Sequence, residues 1–365
     1  MKTIEKEFFL HTDYPLNQLG LEKPLFLDIE TTGLSPERSH VYLIGCLFPH
    51  TEECWGFRQW LCESPKEEQK LLEQVIAFCR DFSGFVHFNG NRFDLPYLHK
   101  RSEHFGLFSP FKTMKSVDLY QKIRTCKNLC NLPDVKQKSI EQFLHIERDD
   151  SYSGGELIPI YHQFTKTGNP KLLHFLLLHN EEDVLGMLQL LPMLSYFDLK
   201  NGSIPIGCPI VEDSSDSELF LRFSLASSLP QPVSFRTEGT YAVLGKESLR
   251  LHTPLFCGEL QYYLPNYKDY YYLPAEDTAI HKSVAVYVDP AFRVKATPEN
   301  CYIKKTGQFL PLPKKMRLET GRPVFQERRN GPSYVFWEES ILQEASFWNA
   351  YLSALFQSVS SGADS

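Results

Sequence analysis

The stretch "LDIETTG", Leu27–Gly33, closes an apolar run with two carboxylates, Asp28 and Glu30, one residue apart. In a strand, side chains alternate between faces, so Asp28 and Glu30 share one face and Ile29 takes the other. Like charges on one face repel, and a low-dielectric setting strengthens the repulsion. Either this strand end is open to solvent or something positive sits between the two groups.

The surrounding pattern predicts an α/β arrangement from Leu25 to about Phe197. "PLFLDIE", "HVYLIGCLF" and "CWGFRQW" read as strands, and "KEEQKLLEQVIAFCRDF" as a helix whose apolar stripe is Leu71, Leu72, Val75, Ile76 and Cys79. "GFVHFNG" reads as a short strand, "LPYLHKRSEHF" as a helix and "SVDLY" as a last strand. "VKQKSIEQFLHI" and the stretch from Pro170 to Phe197 are helical in spacing, with Pro192 a kink or an end. Strands first and helices interleaved predict a mixed sheet with helices packed on it.

The stretch 201–218, rich in Gly, Pro, Ser and Asp, predicts a linker between an α/β domain over 1–200, with a short N-terminal extension, and a second domain over 219–365. The second domain is expected to be β-rich α+β. It holds the β-like runs "TYAVLG", "ELQYYL", "YYYLP" and "SVAVYV" and a closing amphipathic helix, "EESILQEASFWNAYLSALFQSV".

Bulk properties exclude several classes. At 365 residues and 23% charged the chain is ordinary globular protein, and its net charge of -7 gives no global attraction for nucleic acid or membrane. No window approaches the roughly 20 apolar residues of a membrane span. The nine cysteines include no C-x-x-C pair and read as reduced thiols. A cytoplasmic protein is expected.

Two further acidic positions join the first pair. Asp94 lies in "HFNGNRFDLPYL", at a strand-to-helix turn, and Asp183 in the helical "LLHNEEDVLGML". Read alone, Asp94 is a helix cap and Asp183 part of a solvated face. Asp183 nevertheless shares its helix face with Leu176, His179, Met187 and Leu190, where an uncompensated charge is costly. Carboxylates from strand, turn and helix could together hold two Mg²⁺ or Mn²⁺ ions, which prefer oxygen ligands.

"LDIETTG", "HFNGNRFDLPYL" and "HNEEDV" resemble the three motifs of the DEDD superfamily of RNase H-like 3′–5′ exonucleases, and are most similar to its YprB-like group of bacterial proteins. "KQKSIEQFLHIER" resembles the helix these domains carry before the third motif. The resemblance covers about Leu25 to Phe197. It implies a metal-dependent 3′–5′ exonuclease in which Asp28 bridges two divalent cations, Glu30 and Asp183 complete the first site, and Asp94 supports the second. It places Thr31 and Thr32 beside the terminal nucleotide of DNA or RNA, with Asn89 orienting that region. The third motif departs from the pattern: the subgroups carry a Tyr four residues before the last Asp or a His five before it, whereas here His179 lies four before Asp183. One helical turn still lets His179 face the metals as a general base or water-orienting group. The rival reading is a catalytically silent RNase H-like scaffold that binds nucleic acid or protein. A third is an RNase H-type endonuclease.

Nucleic acid would need local positive charge. Between Cys301 and Asn330 eight Lys or Arg face two Glu, and Lys304, Lys305, Lys314, Lys315 and Arg317 are the candidate backbone contacts. Tyr262, Tyr263, Tyr267, Tyr270, Tyr271 and Tyr272 lie nearby in sequence. They are stacking candidates or, more plainly, strand and core residues.

Overall fold

Six strands build the sheet that carries LDIETTG, in the order β1-β4-β3-β2-β5-β6. The strands are β1 Lys2–Phe9, β2 Pro24–Thr31, β3 Val41–Pro49, β4 Cys54–Leu61, β5 Gly84–His87 and β6 Lys115–Asp118. β2 pairs antiparallel with β3 and parallel with β5, so the sheet is mixed, as the sequence predicts. This computed structural model describes residues 1–51, 53–203, 205–237, 239–316, 318 and 321–360. The chain divides into two compact units, Met1–Lys127 with Asn131–Phe197, and Asn128–Cys130 with the chain from Asp198 onward.

In the first unit the central strands β2 and β3 are largely buried on both faces, with a long helix packed against them. The helices are α1 Glu68–Cys79, α2 Asp94–His104, α3 Leu119–Ile123, α4 Gln137–Phe143, α5 Gly154–Thr167, α6 Pro170–Gln189 and α7 Leu194–Lys200. α1 buries the predicted stripe of Leu71, Leu72, Val75, Ile76 and Cys79 in the sheet core. The long α6 packs on β2 and β3. It starts at Pro170, where the Asn169 side chain accepts from the Lys171 N–H, and it ends ahead of Pro192.

Three expectations need correction. The N-terminal extension is strand: β1 pairs with β4 along its whole length and forms the sheet edge, its charged side chains being a normal feature of an edge strand. The stretch read as a linker contains β7, Ile210–Ser214. "SVAVYV" is no strand. His281 accepts from the Ser283 N–H and opens a helical turn, and Val284, Val286 and Tyr287 are exposed.

The second unit is otherwise β-rich, as expected. β7 pairs with β8 Glu218–Ser224, followed across a five-stranded sheet by β11 Ser248–Pro254, β10 Thr240–Leu244 and β9 Val233–Thr237. Phe256–Tyr263, Tyr302–Pro311, Tyr334–Phe336 and Phe325–Gln326 close a small barrel around Leu260 and Phe309. The closing helix begins only at Ala345, after a 3₁₀ turn, and buries Trp348, Tyr351, Leu352 and Phe356. Among the described residues no helix is long and apolar enough to cross a membrane.

Candidate metal centre

Asp28 and Glu30 stand on β2 opposite Gly45 and Leu43 of β3, and the register slips between Glu30 and Thr31, where pairing ends. The fully buried Asn180 of α6 donates from Nδ2 to Asp28 Oδ2 at 2.9 Å and accepts on Oδ1 from Gln59 Nε2 at 2.9 Å. This relay passes over β3 at Gly45, where a Cβ would stand 2.1 Å from Asn180 Oδ1. Gly45 is therefore the residue that lets α6 settle low enough for its acidic end to reach the strand.

On α6, His179 and Asp183 lie one turn apart. His179 Nε2 is 3.4 Å from Glu30 Oε1 and 3.3 Å from Asp183 Oδ2. One ligand atom from each of Glu30, His179 and Asp183 falls within 4.8 Å of the others. Asp94 opens α2 with Phe93, not itself, at the cap position, and its carboxylate accepts the N–H groups of Ile29 and of its own residue. The helix-cap reading of Asp94 therefore gives way to one that ties it to β2.

Burial pushes the carboxyls of Asp28 and Glu30 well above their usual range, and the charges of Asp183 and Asp94 raise both further. Asp94 is pushed up to about 7, first by burial and then by Asp118 and Asp183, against the hydrogen bonds it accepts. Enclosed carboxylates that repel one another either hold protons or hold a cation. The carboxylates supply the oxygen donors that Mg²⁺ or Mn²⁺ prefer, with the His179 imidazole beside them. Glu30, His179 and Asp183 thus form a candidate metal cluster, with Asp28 and Asp94 close enough for their charges to be felt there.

One cation already stands at the rim. Arg148 lies 2.6 Å from Asp183 Oδ1, 3.2 Å from both Glu141 oxygens, and within 3.5 Å of Asp150 and Glu182. Burial alone would lower its pKa, but Asp183 and Glu141 outweigh it and raise it. Glu141 reaches over Gly186 of α6, where a Cβ would lie 2.4 Å from its Oε1. Asp150, buried beside Arg148, has its Oδ2 2.8 Å from His179 Nδ1. Burial would raise the Asp150 carboxyl, but the neighbouring His179 and the hydrogen bonds Asp150 accepts lower it. Sequence reading missed Asn180, Arg148 and Asp150. The only signal was their place within or beside the second-half motifs, since Asp149 and Asp150 look alike in sequence although the first is exposed and the second buried.

The remaining expected residues have the following surroundings. Thr31 Oγ1 donates to the Gly33 carbonyl at 2.9 Å, and Thr32 Oγ1 meets His40 Nδ1 at 3.1 Å, so both hydroxyls brace the turn after β2. Asn89 holds φ +64° and donates its N–H to Asp118 Oδ1, while its own buried Oδ1 has no partner among the described residues. In the second unit Lys304 is clasped by Asp277 at 2.6 Å and Glu259 at 2.8 Å. Lys305 Nζ lies 3.2 Å from the centroid of the Phe336 ring, and Lys315 donates to the Gln357 carbonyl at 3.2 Å. Arg317 lies outside the described residues. The tyrosines mainly serve the unit's own packing: Tyr262 packs on Phe325, Tyr263 and Tyr272 on Tyr302, and Tyr270 on His281.

Residues 25–195 match the family model of the RNase_H superfamily. No curated protein matches the sequence. Among solved structures, the family B DNA polymerase from the hyperthermophilic archaeon Pyrobaculum calidifontis aligns over 93% of this chain and 46% of its own, at 11% identity and a TM-score of 0.39. The zinc-bound E. coli ExoI–ssDNA complex aligns over 56% of this chain and 55% of its own, at 12% identity and a TM-score of 0.30. The apo form of exonuclease I aligns over 56% of each chain, at 14% identity and a TM-score of 0.30. The chain spans about half the length of the structures it matches.

Proposed function

We propose, from an RNase H-like domain over residues 25–195, that the protein is a metal-dependent 3′–5′ exonuclease of the DEDD type acting on DNA or RNA. The observation that carries this reading is the convergence of Glu30, His179 and Asp183 beside Asp28 and Asp94, with buried carboxyls that repel one another. Asp28 would bridge two divalent cations, with Glu30 and Asp183 on the first and Asp94 on the second. When bound, such ions lower the pKa of a water and neutralise the leaving oxygen of a phosphodiester.

The chain's own groups supply the rest. The oxygen of the attacking water forms the new bond to the terminal phosphorus, and its proton passes to His179 Nε2. The bond to the 3′ oxygen of the next nucleotide breaks, and that oxygen takes a proton from solvent. General-base assistance of this kind contributes about 10²- to 10⁴-fold. Thr31, Thr32 and Asn89 would seat the terminal nucleotide. Lys305, Lys314, Lys315 and Arg317 would add affinity for the backbone, with Lys304 the weakest candidate because of its ion pairs.

The test is hydrolysis of 5′-labelled DNA and RNA oligonucleotides with Mg²⁺ or Mn²⁺. Stepwise shortening from the 3′ end, stopped by a 3′ block, is expected. No degradation of either polymer, or activity surviving Asp28→Asn, would overturn the proposal. Cutting of a circular strand would assign an endonuclease instead.

The silent-scaffold reading has one observation in its favour, the Arg148 guanidinium on Asp183 Oδ1. If Arg148 stands in for a cation, Mn²⁺ leaves the melting temperature of the wild-type protein unchanged. A metal centre raises it, and Asp28→Asn then abolishes the rise.

A further inference from the structure

We infer that Asp150 is a positioning residue for this reaction: it fixes His179 in the tautomer that carries its proton on Nδ1 and presents an unprotonated Nε2 to Glu30 and Asp183. The inference rests on the nuclease reading for its catalytic consequence. The tautomer itself does not depend on that reading.

The geometry leaves Asp150 one role. Its Oδ2 is 2.8 Å from His179 Nδ1, and both side chains are buried, at 1% and 5% exposure. A carboxylate surrounded by donors can only accept: Oδ1 takes the Tyr152 N–H at 3.1 Å, and Oδ2 also takes Lys138 Nζ at 3.2 Å. The hydrogen in the Asp150–His179 bond therefore belongs to Nδ1. In the neutral ring the other nitrogen then carries a lone pair, aimed at Glu30 Oε1 and Asp183 Oδ2 at 3.4 and 3.3 Å. Three acceptors facing one another call for a cation, a carboxyl proton or a water O–H in their midst, and the same lone pair is the one needed to accept a proton from the attacking water.

Asp150 also explains how His179 works at its unusual spacing. Four residues before Asp183, its ring has the reach, but a half-turn about its Cβ–Cγ bond would put Cδ2 where Nδ1 stands and Cε1 where Nε2 stands. The hydrogen bond to Asp150 removes that freedom. Asp150 lies 29 residues from His179 in sequence, in the loop that joins α4 to α5.

The test is the ¹⁵N spectrum of the histidine rings in Mg²⁺-loaded full-length protein at pH 8, with His179 assigned by His179→Gln. The proton is expected on Nδ1 of His179, and a His179 ring carrying it on Nε2 overturns the inference. In Asp150→Ala the Nδ1–H preference is expected to vanish. In Asp150→Asn and Asp150→Ala, kcat on a labelled oligonucleotide is expected to fall about 10- to 100-fold with KM within about threefold, as for other groups that orient an active-site histidine. A kcat within about threefold of wild type, with the tautomer lost, also overturns it. If wild-type protein degrades no nucleic acid, the nuclease reading falls, and the ring spectrum alone still decides whether Asp150 sets the tautomer.

Discussion

The first unit gathers Asp28, Glu30, Asp94 and Asp183 into one region where the charge of Asp183 raises the proton affinity of the other three. The second unit, which holds the densest basic stretch of the sequence, neutralises that charge locally. Lys304 sits between Asp277 and Glu259, Arg322 reaches both Glu344 oxygens, and Arg329 lies 3.8 Å from Glu299. Asp277 also accepts from Tyr272 and Tyr302, so what reads in sequence as a basic, aromatic face is partly an internal clasp. Charge density in a sequence therefore says little about function. Charge that the fold buries without a partner says a good deal, because only a ligand makes such a cluster tolerable.

That contrast can be broken at its strong end first. Asp28→Asn or Asp183→Asn is expected to lower kcat by roughly 10³-fold or more while circular dichroism stays native. Because Asp28→Asn also removes a repelled charge, metal-free protein carrying it should melt higher than wild type and lose its Mn²⁺ shift. A variant that melts lower and still responds to Mn²⁺ would refute the electrostatic account.

Next in size is the contact that seats α6. Gly45→Ala places a methyl against Asn180 Oδ1 and is expected to cost about 3 kcal/mol in urea unfolding, as overpacking does. An effect below about 1 kcal/mol would mean that α6 shifts freely, and with it His179 and Asp183.

The pH response follows from the same cluster. Asp94 titrates near 7 in the folded chain against an ordinary value of 3.8, so the folded state keeps a proton that the unfolded chain has already released. Stability is then fully present below about pH 4 and is lost as pH rises towards 7, by roughly a few kcal/mol. Asp28 and Glu30, raised as well, act in the same direction. The melting temperature of metal-free protein should fall between pH 5 and pH 8, and Mg²⁺ or Mn²⁺ should restore more at pH 8 than at pH 5. A flat or rising profile in the metal-free protein would contradict the repulsion.

The smallest effect is expected in the second unit. Lys304→Met should leave the salt dependence of oligonucleotide binding unchanged, because its ammonium is already paired. A lysine bound to phosphate would instead lower the slope by about 0.9 when removed. Applied to Lys314 and Lys315, the same measurement asks whether any part of the basic stretch meets nucleic acid.

Much of the first unit was legible because its signals are local. β2, β3, β4 and α1 follow from periodicity, and α6 from its helical spacing from Pro170 onward. α5 was not, because Gly154, Gly155 and Pro159 all argue against a helix, which is made instead by the Ser153–Glu156 capping box and the burial of Leu157, Tyr161 and Phe164. "SVAVYV" misled for the opposite reason: a β-branched run makes a strand only where a partner strand is available.

By itself the sequence determined that Asp28 and Glu30 share a strand face, that Asp94 opens a helix, and that His179 and Asp183 are one helical turn apart. Backbone periodicity is a property of neighbours along the chain, so these relations needed no fold. Only the tertiary structure decided that Asp150 rather than Asp149 turns inward to His179, that Asn180 holds Asp28 across Gly45, and that Arg148 stands at Asp183. Those partners come from separate loops, strands and helices, and they meet because packing closes the distance between them. The same closure that removes water from the carboxylates makes their charge consequential.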